Sequence, residues 1–91
     1  MAYQLILKGK VQGVFCRYYC SQYAKIFGLR GSATNLGDGS VSVIIDTEDQ
    51  ALLREYITSL TSNPSDIRFF GRIEDVSVSS YDGPVRGDYL F

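Results

Sequence analysis

Histidine is missing from all 91 residues of this chain. Its absence excludes Ser-His-Asp and Cys-His nucleophilic machinery, phosphohistidine chemistry and histidine metal sites, so any catalysis must draw on other groups. Cysteine is nearly as scarce, and Cys16 and Cys20 have no further Cys or His with which to complete a zinc site. A phosphatase of the Cys-nucleophile type would place an Arg six positions after its Cys, but Gln22 and Ile26 stand at those distances. Both cysteines therefore read as free thiols, packed as small hydrophobes in a reducing compartment. No apolar run approaches the roughly 18 residues of a membrane span. The N-terminus alternates polar and apolar residues from Tyr3 onward, and the expectation is a cytoplasmic protein. Nine basic against ten acidic side chains leave a net charge of −1, which supplies no field to gather nucleic acid or anionic lipid. A small-molecule partner and a monomer are expected. What is present, 45% hydrophobic residues in 91, suffices for one domain spanning the whole chain with a single modest core.

The apolar spacing sets out the elements. Tyr3, Leu5 and Leu7 alternate up to Gly9 and predict a strand over Tyr3 to Lys10. Cys16, Cys20, Tyr23, Ala24 and Phe27 draw one stripe along a helix from Cys16 to Phe27, which Gly28 ends as its C′ residue. Leu29 to Asn35 is extended. Gly37-Asp38-Gly39 then turns the chain into Val41, Val43 and Ile45, a hairpin. Thr47 with Gln50 forms a capping box before a second helix, Glu48 to Leu60, stopped by Asn63-Pro64. Ile73 to Tyr81 carries Val76 and Val78 between serines, a strand with one wet face, and Asp88 to Phe91 makes a short closing strand. The order βαββαβ predicts an α+β fold of the ferredoxin-like kind, an antiparallel sheet with two helices on one face.

The segment Gly9-Lys10-Val11-Gln12-Gly13-Val14-Phe15-Cys16-Arg17 carries the chemistry. A strand turning through glycine straight into a helix aims several unpaired N–H groups one way, and with the helix dipole they suit an anion such as phosphate. Taken alone, the same segment also reads as an ordinary strand-to-helix loop. Arg17 breaks a local rule, because the first turn of a helix favours Asp or Glu by about 0.3–1 kcal/mol. It lies roughly 100° around the helix from Cys16, at the edge of the apolar stripe, and can reach back over the loop. A bound anion would remove the conflict, and rule-breaking positions are often functional, although a solvated surface arginine is the plain alternative.

This segment resembles the signature of the acylphosphatase family, Gly-x-Val-Gln-Gly-Val-x-Phe/Met-Arg, with Cys16 the one departure. Gly31-Ser32-Ala33-Thr34-Asn35, followed by Gly39 and Val41, resembles the family's second block. There Ser32 replaces the usual aromatic, Thr34 a longer and often basic residue, and Thr47 a glycine. The resemblance implies hydrolysis of the carboxyl-phosphate bond of acyl phosphates to carboxylate and inorganic phosphate. It implies phosphate held by Gln12, Gly13, Val14, Phe15, Cys16 and Arg17, with Arg17 as charge clamp and Asn35 as holder of the attacking water. No cofactor and no metal are implied.

Such chemistry is within reach of a histidine-free chain. The leaving carboxylate has a conjugate acid near pKa ~4 and needs no general acid. What remains is to gather phosphoryl oxygens, offset their charge and place water in line, with a substrate oxygen taking the proton. Backbone N–H groups and a bidentate arginine serve the first two tasks. A catalytically weak anion-binding or regulatory module of the same fold is the rival reading, motivated by Cys16, Ser32 and Thr34. An adhesive role through Arg86-Gly87-Asp88 rests on a tripeptide that recurs by chance. An RNA-recognition role lacks both the aromatic-basic motif and a basic face.

Overall fold

A computed structural model describes residues 2–91. Strand β1 (Ala2–Lys10) leads to helix α1 (Cys16–Ile26), strands β2 (Gly31–Asn35) and β3 (Val41–Ile45), helix α2 (Gln50–Ser62), strand β4 (Arg72–Tyr81) and a two-residue strand β5 (Tyr89–Leu90). The strands form one sheet in the order β4-β1-β3-β2-β5, antiparallel at every pairing. This is the ferredoxin-like arrangement expected from the alternation of periods, with β5 added at one edge.

Strand parity decides what faces the helices. Leu5 pairs with Val43, Ala33 with Val43, and Asn35 with Val41. Leu5, Leu7, Ala33, Val41, Val43 and Ile45 are fully buried. Asn35 shares their parity and so points to the helix side, at the end of β2. Ser32 and Thr34 point to the opposite face.

The α1 stripe packs as its spacing requires, with Tyr19 joining Cys16, Cys20, Tyr23 and Ala24 in the core. Buried tyrosines bring hydroxyls that need partners. The Tyr19 hydroxyl donates to the Leu60 carbonyl at 2.5 Å, and the Tyr56 hydroxyl to the Cys20 carbonyl at 2.9 Å. Each helix thus satisfies the other. At the end of α1, Leu29 N–H bonds Ala24 O and Gly28 N–H bonds Lys25 O, with Gly28 at φ 68°, the Schellman closure that glycine permits.

Helix α2 at both ends and β2 at its start differ from the sequence expectation by two residues, for local reasons, while the ends of β1, α1, β4 and β5 shift by one. Thr47 does not cap α2: its Oγ1 accepts the Asp49 N–H, so the cap falls to Asp49, whose carboxylate accepts the Leu52 N–H at 3.0 Å. The helix starts two residues late and runs to Ser62, where Asn63 takes the left-handed conformation. Leu29 lies outside β2 because it completes the helix closure, and Arg30, whose carbonyl accepts the Asp46 N–H at 2.8 Å, leads from it into the strand. Val78 is half exposed, since β4 is an edge strand. No helix among the described residues is long and apolar enough to cross a membrane.

Candidate active site

The loop 11–15 between β1 and α1 is held from two sides, by the β2–β3 turn and by the segment at Phe70-Gly71. Gln12 Nε2 donates to the carbonyls of Leu36, at 2.7 Å, and Ser40, at 2.9 Å, and so ties the loop to the β2–β3 turn. Phe70 N–H donates to Val14 O at 3.1 Å. At Gly71 the neighbouring chain approaches so closely that a Cβ would collide with the Lys10 carbonyl oxygen and Val14 Cγ2. The turn is itself braced, because the Ser40 hydroxyl and N–H both donate to Asp38 and hold its carboxyl below the usual range.

The loop meets α1 without a side-chain cap. Phe15 occupies the N-cap position in the left-handed region at φ 68°, two residues after Gly13 at φ 72°. A non-glycine residue there is unfavourable by about 1–2 kcal/mol, and such strain gathers at ligand-binding loops. The first turn holds no acidic residue, and the N–H groups of Cys16, Arg17 and Tyr18 have no helical carbonyl to bond. At α2 one of the equivalent donors, the Leu52 N–H, meets the Asp49 carboxylate; at α1 no side chain caps the helix, and the three residues line an open space that suits an anion.

That space is a cleft of about 350 Å³ lined by Val11, Gly13, Phe15, Cys16, Arg17, Tyr18, Asn35 and Tyr89. The structure therefore brings together Gly13, Phe15, Cys16, Arg17 and Asn35 from the sequence-based site. Gln12 and Val14 do not line it: the Gln12 side chain clasps the turn that follows Asn35, and Val14 is buried beneath the loop. Asn35 is half-buried in the wall, and its side-chain amide has no hydrogen-bond partner among the described residues. The Cys16 thiol turns inward, 4.0 Å from that of Cys20, and is 2% exposed. This contact and burial push the Cys20 thiol up from its ordinary pKa.

Sequence reasoning missed the contribution of the C-terminal segment. Ser32 Oγ donates to Arg86 O at 2.9 Å and Asp88 N–H donates to Thr34 Oγ1 at 3.1 Å, while a Cβ on Gly87 would collide with Thr34 Oγ1. The small residues at 32 and 34 thus make room for 86–88 to cross β2. The crossing delivers Tyr89 to the cleft wall and Asp88 to Arg17, with Nη1 and Oδ2 3.8 Å apart. Arg86-Gly87-Asp88 is an exposed segment held against Ser32 and Thr34 as it crosses β2, and the small residues at 32, 34 and 87 were the signal available for finding it. No group of three or more His, Cys, Asp or Glu residues that could hold a metal ion exists among the described residues.

Comparison with known proteins finds one family along almost the whole chain. Residues 3–89 match the family model described as acylphosphatase. The acylphosphatase of Lactococcus lactis subsp. lactis is 30% identical over 89 residues, covering 94% of this chain and 92% of that protein. That of Nitrobacter winogradskyi is 34% identical over 87 residues, covering 96% and 79%. The crystal structure of acylphosphatase from Bacillus subtilis superposes with a TM-score of 0.74 at 27% identity, covering 99% and 98% of the two chains.

Proposed function

We propose that this chain, which belongs to the acylphosphatase family and hydrolyses acyl phosphates, cleaves the carboxyl-phosphate bond by direct attack of water on phosphorus. The observation that carries the mechanism is the convergence of Arg17 and Asn35, eighteen residues apart, on one cleft at the uncapped start of α1. The N–H groups of the loop and first helical turn gather the phosphoryl oxygens, and the Arg17 fork offsets their charge. Gln12 acts as a clasp through its side chain and contributes to the cradle only through its backbone. The free Asn35 amide holds the water. As the water oxygen bonds to phosphorus, the bond from phosphorus to the acyl oxygen breaks and the carboxylate leaves with the electron pair. The water proton passes to a phosphoryl oxygen.

Because the leaving group is already a weak base, neither a general acid nor a metal enters this scheme. The inward-facing Cys16 thiol supports water over a covalent thiophosphate route. The near-neutral chain supports a small-molecule partner over nucleic acid or an anionic membrane, and its two free cysteines support the cytoplasm. Hydrolysis of acetyl phosphate in ¹⁸O-labelled water tests the mechanism. Label is expected in inorganic phosphate and not in acetate; label in acetate would mean attack at the carbonyl and refute it.

A further inference from the structure

The phosphate cleft does not end at Arg17. Phe15 and Tyr18, which line it, also line a second cavity of about 490 Å³, whose remaining wall is Arg68. Both volumes lie in the range of small-molecule sites, roughly 300–1,000 Å³. The two hollows meet across a pair of aromatic rings, and each ring is open to solvent: Phe15 is 53% exposed and Tyr18 44%. Phe70, itself 65% exposed, backs Phe15 with ring centroids 5.5 Å apart. Of the large hydrophobic side chains that this protein leaves exposed, four aromatics (Phe15, Tyr18, Phe70 and Tyr89) gather around this one site. Clustering of that kind marks a binding surface, whereas scattered single residues need no explanation.

Arg68 gives the second cavity a sign. No acidic group lies within ion-pair distance of it among the described residues. Arg17, by contrast, already faces Asp88. An unpaired guanidinium at the edge of an aromatic shelf suits a carboxylate at the far end of an apolar body.

We propose that this cavity is the acyl subsite, and that it selects acyl phosphates whose acyl group is aromatic or apolar and carries a second carboxylate, bound by Arg68. The inference rests on the phosphoryl group occupying the cleft at Arg17. An acetyl group is too short to leave that cleft, whereas a benzoyl ring lies across Phe15 and Tyr18 and presents a para carboxylate toward Arg68. The substrates so defined are mixed anhydrides formed when a dicarboxylic acid is phosphorylated on one carboxyl, so a kinase or ligase that activates such acids would supply them.

The test compares kcat/KM for benzoyl phosphate and para-carboxybenzoyl phosphate in the wild type, Arg68→Gln and Arg68→Glu. Their ratio cancels whatever happens at the phosphoryl end. Because Arg68 is exposed, the wild type should favour the carboxylated substrate by about two- to fivefold. The ratio should fall to about one in Arg68→Gln, drop below one in Arg68→Glu, and shrink as salt rises toward about 0.5 M. A wild type that prefers plain benzoyl phosphate, or a ratio that survives Arg68→Glu, overturns the proposal. Calorimetric binding of benzoylphosphonate and para-carboxybenzoylphosphonate, which cannot be hydrolysed, repeats the comparison without turnover. If both bind alike in all three proteins, the subsite alone is wrong; if neither binds, the phosphate cleft is wrong and the subsite falls with it.

Discussion

Arg17 faces Asp88 across 3.8 Å, with both side chains partly exposed, so the cation that would clamp a phosphoryl group already has a carboxylate beside it. The pair joins the first turn of α1 to the segment that crosses β2, and Thr34 holds the Asp88 backbone in place. A separation of 3.8 Å in a solvated setting makes this a loose contact that a doubly charged phosphate can displace.

Replacing Asp88 should therefore tighten phosphate. Asp88→Asn keeps the shape of the crossing but removes the competing charge, and inorganic phosphate should inhibit up to about fivefold more strongly. The measurement is the competitive inhibition constant at low ionic strength. Weaker inhibition in the variant would mean that Asp88 orients Arg17 rather than competing for it.

Arg17→Ala should abolish phosphate binding and lower turnover of acetyl phosphate by at least about 10²–10³-fold, the usual effect of losing a preorganised donor. Arg17→Lys should restore little, since a point charge lacks the planar fork. Circular dichroism should show an intact fold, because the side chain is 39% exposed and outside the core. Turnover in Arg17→Ala within about threefold of wild type would remove Arg17 from the mechanism.

Asn35 should separate catalysis from binding. Its free amide predicts that Asn35→Ala lowers kcat strongly while phosphate affinity stays near that of the wild type. Steady-state kinetics together with phosphate calorimetry decide it. A parallel loss of both would assign Asn35 to shaping the loop.

For Cys16, burial predicts a structural effect. Cys16→Ser places a more polar hydroxyl in the core and should cost about 1–3 kcal/mol of stability while the folded fraction stays active. Urea unfolding and activity at low temperature are the measurements. Rapid inactivation by iodoacetamide that phosphate prevents, with a dead Cys16→Ser, would point to a nucleophilic thiol instead.

Alkali should unfold the protein. Burial raises the pKa of Tyr56 and Tyr19, and the Cys16 contact with burial raises that of Cys20. Groups with raised folded-state values contribute stability that is complete below their unfolded pKa and is lost as pH rises toward the folded value. The urea midpoint should thus hold near neutrality and fall above about pH 9, where free thiols and then phenols ionise. Tyr56→Phe should be less stable at pH 7, having lost its bond to Cys20 O, but show a shallower alkaline decline. An unchanged slope would mean that Tyr56 does not drive it.

Much of this molecule is local in origin. The order of elements follows from apolar periods of two and 3.6 residues. Gly28 ends α1 because the closure needs a left-handed residue, and the loop from Val11 to Arg17 is contiguous in the chain. Even the misplaced cap of α2 was a choice between two neighbouring oxygens, at Thr47 and at Asp49.

The surroundings of the loop were decided elsewhere. Strand pairing places Asn35 on the helix face, Gln12 reaches 24 and 28 residues ahead to hold the turn, and Asp88 arrives at Arg17 from the far end of the chain. Tyr18, Arg68 and Tyr89 sit in stretches whose spacing follows no functional rule, and they acquire meaning only where the two cavities meet. Periodicity records which side of an element is buried, because burial repeats with the backbone. It carries no record of which distant segment lies against a given loop, since that depends on sheet order and on crossings such as Gly87 over Thr34.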